Sequence, residues 1–380
     1  MEANKEYSPF PFPNTFPSNN SFFILTVTDE RELIEELKKH NKEEVKDWYV
    51  IHSGPFHCDE VMATIILKYA KLALPSGIII RTRDEEIIKK GKIVYDIGGI
   101  SNAKSLRFDH HMKDFKETFD ANHDIKLSSC GLVYKYFGKE AVKNILAEWK
   151  IVDEKCVEYT YSKVYEDLIM TIDAMDNGIN QYPFNIDPRY RINTHLGSRV
   201  SRCNPAWNAE NGNEMVNIGF KGALKVCEEE LLWQLYSQAC VLYPAFAIVE
   251  KGYKERTKFH PSGQLLYLET ACPWGQQLRT LEEADTDPNK KPVLFIIAKN
   301  DKEHRVQCIP EKPGNFVCRL YLCEKWRGLR GEELIQASGI PGSVFVHASG
   351  YLGIGTSFET VIKMAELSMA EGDSKMTDEV

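Results

Sequence analysis

The sequence predicts an α/β fold: a parallel-sheet domain followed by a smaller α+β domain. Short apolar runs at 48–51, 77–81 and 92–96 are typical of buried strands. Predicted helices alternate with these runs: a charged, periodic segment at 29–46 precedes the first run, and a helix that begins near Val61 follows it. Strands that alternate with helices favour a parallel sheet covered by helices on both faces.

Later elements follow a different pattern. Ser128 is a suitable N-cap for a helix through about residue 148, and a second helix is expected at 161–176. Residues 203–216 are rich in Asn and loop-like, and could join two halves. The second half is predicted to contain helices at 219–242, 330–338 and 357–369, and strands at 245–249, 265–268, 293–297 and 305–309.

These patterns divide the chain into five parts. We expect a flexible arm (1–24), a first domain (25–200), a connecting loop and helix (201–242), a second domain (243–371) and a flexible tail (372–380). The two domains are expected to enclose a cleft.

Composition limits the class of function. The net charge of −8 excludes attraction of nucleic acid by a global positive field, so a polyanion would bind through metal or a local basic patch. Ten cysteines without a CxxC pair favour a reducing, intracellular compartment, cytoplasmic or nuclear. No apolar run has the length of a membrane span, and residues 1–22 do not resemble a signal or transit peptide. Oligomeric state is not indicated.

The segment Arg107–Met112 places Asp109, His110 and His111 directly after a short strand. An isolated His-His pair is usually a solvated turn. Here His52 and Asp96 also follow strands, and ligands bind at the carboxyl ends of strands in open α/β sheets. The sequence therefore predicts one site at this edge of the sheet.

The side chains in these segments suit a transition metal. Imidazole and carboxylate together favour Mn, Fe, Co or Zn, and a shared carboxylate is the usual bridge in two-metal phosphoryl-transfer sites. Asp173 and Asp176 lie three residues apart and share a face of a predicted helix. Acids on a helix are usually solvated, but the apolar residues around this pair favour burial with a partner such as a metal.

Four ordered segments carry a family resemblance, namely Ile51–Glu60, Val94–Gly99, Arg107–Met112 and Thr171–Gly178, and further matching stretches are Leu127–Ser129, Trp326–Arg330 and Val346–Gly350. They resemble the DHH phosphoesterase superfamily, which includes exonucleases, oligoribonucleases and manganese pyrophosphatases. From about residue 48 to 365 the chain is most similar to the eukaryotic melanocyte-proliferating-gene (Myg-type) family of DHH-type 3′–5′ RNA exonucleases. That resemblance also implies a possible mitochondrial location.

The resemblance implies a site with two divalent ions, with Mn²⁺ expected and Mg²⁺, Co²⁺ or Zn²⁺ as alternatives. One ion would be held by His52, His57 and Asp96, and the other by Asp59, Asp96, His110 and Asp173. His111 would face the scissile phosphate and Asp109 would orient the histidines, whereas the role of Asp176 stays open. The superfamily usually has Asp where this chain has His57, and the spacing from His52 is one residue longer.

The C-terminal half is expected to bind substrate. The glycine-rich stretch Gly350–Gly355 follows an apolar run and precedes a helix, so it could cradle a phosphate or be a structural turn. The related exonucleases carry a comparable motif, which implies that His347, Ser349, Gly350 and Gly353 contact substrate. Arg199 and Arg327 are candidates for contacts to a nucleic-acid backbone, although most arginines are solvated or paired.

Three functions remain open. The first is a metal-dependent 3′–5′ exonuclease on RNA or short oligonucleotides. The second is a phosphatase or pyrophosphatase on a small phosphorylated metabolite, and the third is a non-catalytic, metal-stabilised binding protein. The full set of acidic and imidazole side chains argues against the third. The C-terminal half argues against the second, because a small substrate needs less surface.

Overall fold

The computed structural model describes residues 21–183, 185–209, 212–300, 303–312, 314 and 316–378. The chain forms two compact units, the first ending at Cys240 and the second beginning at Val241. Each unit contains helices and one β-sheet. The predicted mixed α/β class is therefore confirmed.

The sheet of the first unit is almost entirely parallel. Its strands are β1 (Phe23–Thr26), β2 (Trp48–Ile51), β3 (Ile78–Arg81), β4 (Ile93–Tyr95), β5 (Ser101–Asn102) and β6 (Arg107–Phe108). Their spatial order is β1-β3-β2-β4-β6-β5, and only the β5–β6 pair is antiparallel. The carboxyl ends of β2, β4 and β6 consequently lie side by side at one edge.

The helices of the first unit are α1 (Glu30–Lys39), α2 (Cys58–Tyr69), α3 (Glu85–Lys90), α4 (Ser129–Val133), α5 (Lys139–Glu148), α6 (Glu154–Val164), α7 (Met170–Asp176), α8 (Leu196–Ser201) and α9 (Asn213–Tyr236). π-helical turns connect α4 to α5 and α6 to α7, and a third follows α9 at Ser237–Leu242. Ser128 is the N-cap of α4, as predicted. Helix α2 is buried from Asp59 to Leu67, which explains its nearly continuous apolar sequence.

The second unit contains α10 (Tyr243–Phe259), β7 (Leu265–Leu268), α11 (Gly275–Ala284), β8 (Phe295–Asn300), β9 (Glu303–Cys308), α12 (Gly331–Ser338), β10 (Ser343–Val346), β11 (Leu352–Gly355) and α13 (Phe358–Asp378). Its strand order is β10-β11-β9-β8-β7, with β7 and β8 parallel and the other pairs antiparallel. The strands predicted at 265–268, 293–297 and 305–309 correspond to β7, β8 and β9.

The strand predicted at 245–249 is wrong, because these residues belong to α10. This helix buries Ala245, Val249 and Tyr253, which are spaced four residues apart. Pro244 is the second residue of α10 and directly follows the π-helical turn at Ser237–Leu242. A short apolar run does not by itself distinguish a buried strand from a buried helix.

The predicted domain limits also shift. Residues 1–20 of the predicted arm lie outside the described residues, but Phe22 is buried and β1 begins at Phe23. Helix α9, expected to connect the domains, packs against α2 and β1 within the first unit. At the other end, α13 continues to Asp378, beyond the expected start of a flexible tail at 372.

The helical stretch Asn213–Phe259 is, by length and composition, apolar enough to cross a membrane. A single helix of this kind is weak evidence, because the core helix of a soluble protein meets the same criterion. Within this stretch Phe220, Leu224 and Leu231 are buried in the first unit. Glu228, which is also buried, accepts hydrogen bonds from Lys68 and Tyr69. Packing in the first unit thus accounts for the apolar face of α9.

Candidate metal centre

The site lies at the carboxyl edge of the first sheet. His52 follows β2, Asp96 follows β4, and Asp109 begins the segment after β6. Asp96 has a φ of 58°, in the left-handed region that residues other than glycine rarely adopt. Such strain is often found at functional sites. The predicted convergence of strand ends is present.

A first group of possible ligands surrounds His52. One ligand atom from each of His52, His57, Glu60 and Asp96 lies within 4.8 Å of the others. His52 Nε2 is 3.0 Å from Glu60 Oε1 and 3.2 Å from Asp96 Oδ2. His57 is the N-cap of α2, and its backbone N–H donates to the Glu60 carboxylate at 3.0 Å. The start of α2 thus faces the ends of β2 and β4.

Two further groups surround His110. One consists of Asp96, His110 and His111, and the other of Asp59, His110 and Asp176. His110 Nε2 is 3.5 Å from Asp96 Oδ1 and 3.0 Å from Asp176 Oδ2. Asp96 therefore belongs to the groups around both His52 and His110, which is the arrangement expected of a bridging carboxylate.

Asp173, the acid expected to bind metal, lies outside these three groups. It is fully buried, and its Oδ1 accepts hydrogen bonds from Ser128 N at 2.9 Å and Ser128 Oγ at 2.7 Å. A Cβ on Gly131 would overlap both carboxylate oxygens of Asp173. Burial raises the pKa of Asp173 to about 7, against the hydrogen bonds from Ser128. The structure thus places Asp176, and not Asp173, beside His110.

The chemistry of the donor set fits a metal ion. Asp59 Oδ2 is buried and has no hydrogen-bond partner among the described residues, and the buried Nε2 atoms of His52 and His110 face carboxylate oxygens at 3.0–3.5 Å. Buried polar atoms without partners are unfavourable unless an ion or water satisfies them. The other oxygen of Asp59 accepts hydrogen bonds from Ser128 Oγ and, at 2.6 Å, from Cys130 N, which fixes the direction of the carboxylate.

We call the residues of the three ligand groups the cluster. The pKa values of its histidines and carboxylates are shifted by their interactions with one another. Burial alone would lower the pKa of His52, but Asp96 and Glu60 raise it to about 10. The pKa of His110 is likewise raised to about 10 by Asp176 and Asp96, against burial. Burial would raise the pKa of Asp96, yet the two histidines lower it to about 2. Burial, Asp96 and Asp176 raise the pKa of Asp59 well above its usual range. A bound cation would displace the protons that these raised pKa values place on His52, His110 and Asp59.

Asp109 and His111 have different surroundings from the buried cluster. The Asp109 carboxylate accepts hydrogen bonds from the backbone N–H groups of Gly99, at 2.6 Å, and His110, at 2.8 Å. It also lies 2.7 Å from His111 Nδ1. The His111 side chain is 63% exposed, whereas Asp109 is buried. Asp109 therefore fixes an accessible imidazole at the mouth of the site.

A cavity of about 400 Å³ adjoins the cluster within the first unit. His57, Asp59 and Asp176 belong to both the cluster and the cavity wall. Arg199, predicted to contact substrate, also lines the cavity, and its Nη1 lies 2.9 Å from Glu230 Oε2. The cavity has the mixed apolar and polar lining typical of ligand pockets.

The substrate-binding residues predicted in the second half lie in the second unit. His347 Nδ1 is 2.9 Å from Ser349 Oγ in the turn between β10 and β11, where Gly350 has a φ of 75°. Arg327 donates through Nε to Leu322 O at 3.3 Å. Gly353 lies inside β11, paired with both β9 and β10. The stretch Gly350–Gly355 is thus a turn followed by a strand, rather than a glycine-rich turn throughout.

Close packing explains Gly353, because an added Cβ would lie 2.9 Å from Leu322 and from Val306. Its role in substrate binding, like that of the turn residues, stays a prediction.

Sequence reasoning did not identify Glu60 as part of the site. The available signal was its position three residues after His57, at the start of an apolar helix, which is where a capping-box acid is found. That pattern explains a cap without requiring a metal, and only the fold brings Glu60 to His52.

Sequence matches to known proteins cover most of the chain. The family model MYG1_exonuc, described as an uncharacterised protein family (UPF0160), matches residues 49–369. The MYG1 protein of Dictyostelium discoideum is 38% identical over 315 residues, covering 83% of this chain and 94% of that protein. The MYG1 exonucleases of Homo sapiens and Mus musculus are each 38% identical, over 331 and 326 residues, covering 84% of this chain and 85% and 84% of those proteins.

The matched region includes every residue of the three ligand groups, from His52 to Asp176. It also includes the turn around His347 and most of the second unit. The comparisons do not themselves identify the wider DHH superfamily, so that resemblance stays a prediction. At this coverage and identity, the chain belongs to the MYG1 family.

Proposed function

We propose that this chain is a metal-dependent phosphodiester hydrolase, a 3′–5′ exonuclease that acts on RNA. The observation that carries the proposal is the position of Asp96 between two groups of imidazole and carboxylate ligands. Its oxygens lie 3.2 Å from His52 Nε2 and 3.5 Å from His110 Nε2. A carboxylate so placed could contribute to holding two divalent ions, which would supply Lewis acidity for phosphoryl transfer.

The geometry favours a revised set of ligands. The first ion would be held by His52, His57 and Asp96, and the second by Asp59, Asp96, His110 and Asp176. Glu60 would orient the first set, since it accepts the His57 N–H and lies 3.0 Å from His52 Nε2. Manganese is the proposed native ion, because this mixture of imidazole and carboxylate suits it.

Bound divalent ions would polarise the phosphodiester and activate the attacking water. The chain itself supplies the accessible imidazole of His111. Asp109 lies 2.7 Å from His111 Nδ1 and would accept a hydrogen bond from its proton, so the doubly protonated ring would donate the Nε2 proton to the leaving oxygen and return to its neutral form. Asp109 acts as a positioning residue, because its carboxylate is buried and is occupied by backbone N–H groups.

A nucleic-acid substrate has more support than a small polyanion. Mammalian relatives with 38% identity are named exonucleases. Pyrophosphate would meet a cavity wall that includes Asp167 and Glu230 besides the metal-cluster acids, while Arg199 is already paired. A nucleoside carries no charge and could occupy such a cavity next to a metal-held phosphate. We further propose that His347, Ser349 and Arg327 of the second unit bind another part of the polymer.

The decisive experiment compares substrates and ions in one assay. Purified protein is stripped with chelator, reloaded with Mn²⁺, Mg²⁺, Co²⁺ or Zn²⁺, and incubated with RNA and DNA labelled at either end and with pyrophosphate. We expect Mn²⁺ to restore stepwise shortening of RNA from the 3′ end. The control is Asp96→Asn, which should not recover activity with any ion. Full activity in protein verified to be metal-free, or hydrolysis of pyrophosphate alone, would contradict the proposal.

A further inference from the structure

An exposed segment between α7 and α8 combines aromatic, aliphatic and basic side chains. We call residues 185–195 the Tyr190 loop. Within it Tyr190 is 73% exposed, Ile192 64% and Ile186 54%. Large apolar side chains at such exposure, close together in sequence, indicate a surface that binds something. A long irregular connection in a compact unit is also more often functional than a short one.

The basic side chains of this loop form no ion pair with an acid in the part of the chain that the structure describes. Arg189 and Arg191 flank Tyr190, and no ion pair joins either of them to any residue that the structure describes. Arg202, just after α8, donates to the backbone carbonyl of Asn193 at 3.1 Å and so adds a third positive charge beside the loop. The loop itself contains one acid, Asp187. This local positive charge contrasts with the net charge of −8 of the chain.

The loop is directly continuous with the candidate metal centre. The segment that leads into it follows Asp176, whose Oδ2 lies 3.0 Å from His110. Its last residues, Thr194 and His195, line the cavity beside the cluster. His195 then caps α8, since its Nδ1 accepts the Ser198 N–H at 3.3 Å. The carboxyl end of the loop is therefore in the cavity wall, its amino end follows Asp176 by nine residues of chain, and Tyr190 is exposed.

We propose that the Tyr190 loop is a binding surface for single-stranded nucleic acid next to the metal centre. Tyr190 stacks against an unpaired base, and Arg189 and Arg191 contact the flanking phosphates. Alternating aromatic and basic side chains are the usual means of holding single strands, because stacking tolerates any base and arginines follow the backbone. This inference rests on the proposed function and adds to it that the substrate next to the site is unpaired.

A second copy of this chain would be a poorer occupant of the loop. In a symmetric dimer each surface faces itself, so contact through the loop would bring Arg189 and Arg191 toward the same residues of the other copy. Like charges across an interface oppose association. Phosphates, in contrast, complement the arginines, and an unpaired base covers Tyr190.

The test compares Tyr190→Ala and the double variant Arg189→Ala/Arg191→Ala with wild type. Matched controls are Phe316→Ala, which removes an aromatic ring that is 93% exposed in the second unit, and Arg31→Ala, which removes an exposed arginine from α1. Each protein is loaded with Mn²⁺. The value of kcat/KM is then measured on single-stranded RNA of about ten nucleotides, a length within the range that such surfaces contact, and on bis(p-nitrophenyl) phosphate, which has no neighbouring base.

We expect Tyr190→Ala to lower kcat/KM on RNA about ten-fold, in line with the loss of one stacked base. Its effect on the chromogenic diester should stay within about two-fold, since that substrate has no remote part to bind. The double arginine variant should weaken the salt dependence of RNA binding by roughly 0.7 in logarithmic slope for each phosphate that the arginines no longer neutralise. Both control variants should behave as wild type.

Three outcomes overturn the inference. The first is unchanged RNA turnover in both loop variants while wild type is active, which leaves the proposed function intact. The second is an equal loss on RNA and on the chromogenic diester, which would assign the loop to the fold or the chemistry. The third is a wild-type dimer in light scattering that Tyr190→Ala converts to monomer without changing RNA turnover. If wild type hydrolyses neither substrate with any ion, the proposed function fails as well.

Discussion

Asp176 Oδ2 lies 3.0 Å from the Nε2 atom of His110. Asp173, one turn earlier on α7, is turned instead toward Ser128, whose N and Oγ both donate to it. The two acids of α7 therefore differ in their contacts: Asp176 lies beside His110, and Asp173 joins α7 to the start of α4. The sequence motif indicates Asp173 as a metal ligand, whereas the grouping of possible ligand atoms favours Asp176.

Exchange of each acid for its amide should distinguish these two sets of contacts. Asp176→Asn is expected to lose about one bound ion per chain, because an amide is a much weaker ligand for a divalent cation. Asp173→Asn should keep its metal but unfold at a lower temperature, since an amide offers only one oxygen to the donors of Ser128, Gly131 and Tyr165 around this carboxylate. Metal content, measured by mass spectrometry, and the midpoint of thermal unfolding are compared for the two variants and wild type. If Asp173→Asn loses metal and Asp176→Asn retains it, the geometric assignment is wrong.

Gly131 should tolerate no side chain. A Cβ at this position would overlap the Asp173 carboxylate, which is buried and cannot move without breaking its bonds to Ser128. We expect Gly131→Ala to destabilise the fold by about 1–3 kcal/mol, the usual cost of overpacking a core. Gly275→Ala is the matched control, since it lies in the first turn of α11 with nothing within 4 Å of an added Cβ. Equal midpoints of denaturant unfolding for both variants would contradict this account.

Much of the site was predictable because strand ends are visible in the sequence. Short apolar runs that finish at His52, Asp96 and Asp109 fixed the edge of the sheet, and adjacent parallel strands bring such ends together. The rotation of α7 was not predictable. Asp173 and Asp176 share a face at helical spacing, and packing against Ser128 and Gly131 decides which of them reaches His110.

The second half shows a different limit of sequence reasoning. The run Ala245–Val249 is short and apolar, and its β-branched residues favour a strand. Its helical state depends on partners outside the run, because α10 packs against β7 and α11. The strands around Gly353 were missed for the opposite reason. Glycines usually indicate turns, but Gly353 lies in a strand, where the absence of a side chain allows Leu322 and Val306 to pack against it.

Metal affinity should rise with pH. In the absence of a cation, the pKa values of His52 and His110 are raised to about 10, so both rings hold protons at neutral pH. Their pairing with carboxylates stabilises the folded protein fully below about pH 6.5, the pKa of an unfolded histidine, and is lost as pH rises through about 10. A cation must displace these protons, so it competes better as pH increases.

Calorimetry can measure this proton release directly. Titration of Mn²⁺ in two buffers with different ionisation enthalpies should show release of about one proton or more per chain at neutral pH, and the increase in Tm caused by Mn²⁺ should grow from about pH 6 to 8. His123→Gln, which removes an imidazole paired with Asp120 outside the three ligand groups, should leave both results unchanged. Binding without proton release would show that the histidines are neutral before the ion arrives.

The last prediction concerns the second unit. All three ligand groups lie between His52 and Asp176, whereas His347 lies in the second unit, in the turn between β10 and β11. If that turn grips the substrate away from the reacting phosphate, His347→Ala should leave metal content intact and lower kcat/KM on a short RNA. Binding energy from remote parts of a substrate can be used at the reacting centre, so part of the loss should appear in kcat.

The comparison that isolates this effect uses a chromogenic phosphodiester, which offers no neighbouring nucleotide to grip. On that substrate His347→Ala should be close to wild type, while Ser349→Ala, which removes the hydroxyl 2.9 Å from His347 Nδ1, should follow His347→Ala on RNA with a smaller loss. The physical reason is that Ser349 would act only by holding the imidazole. Equal losses on both substrates would mean that His347 serves the chemistry or the fold, and the division of labour between the two units would then have to be abandoned.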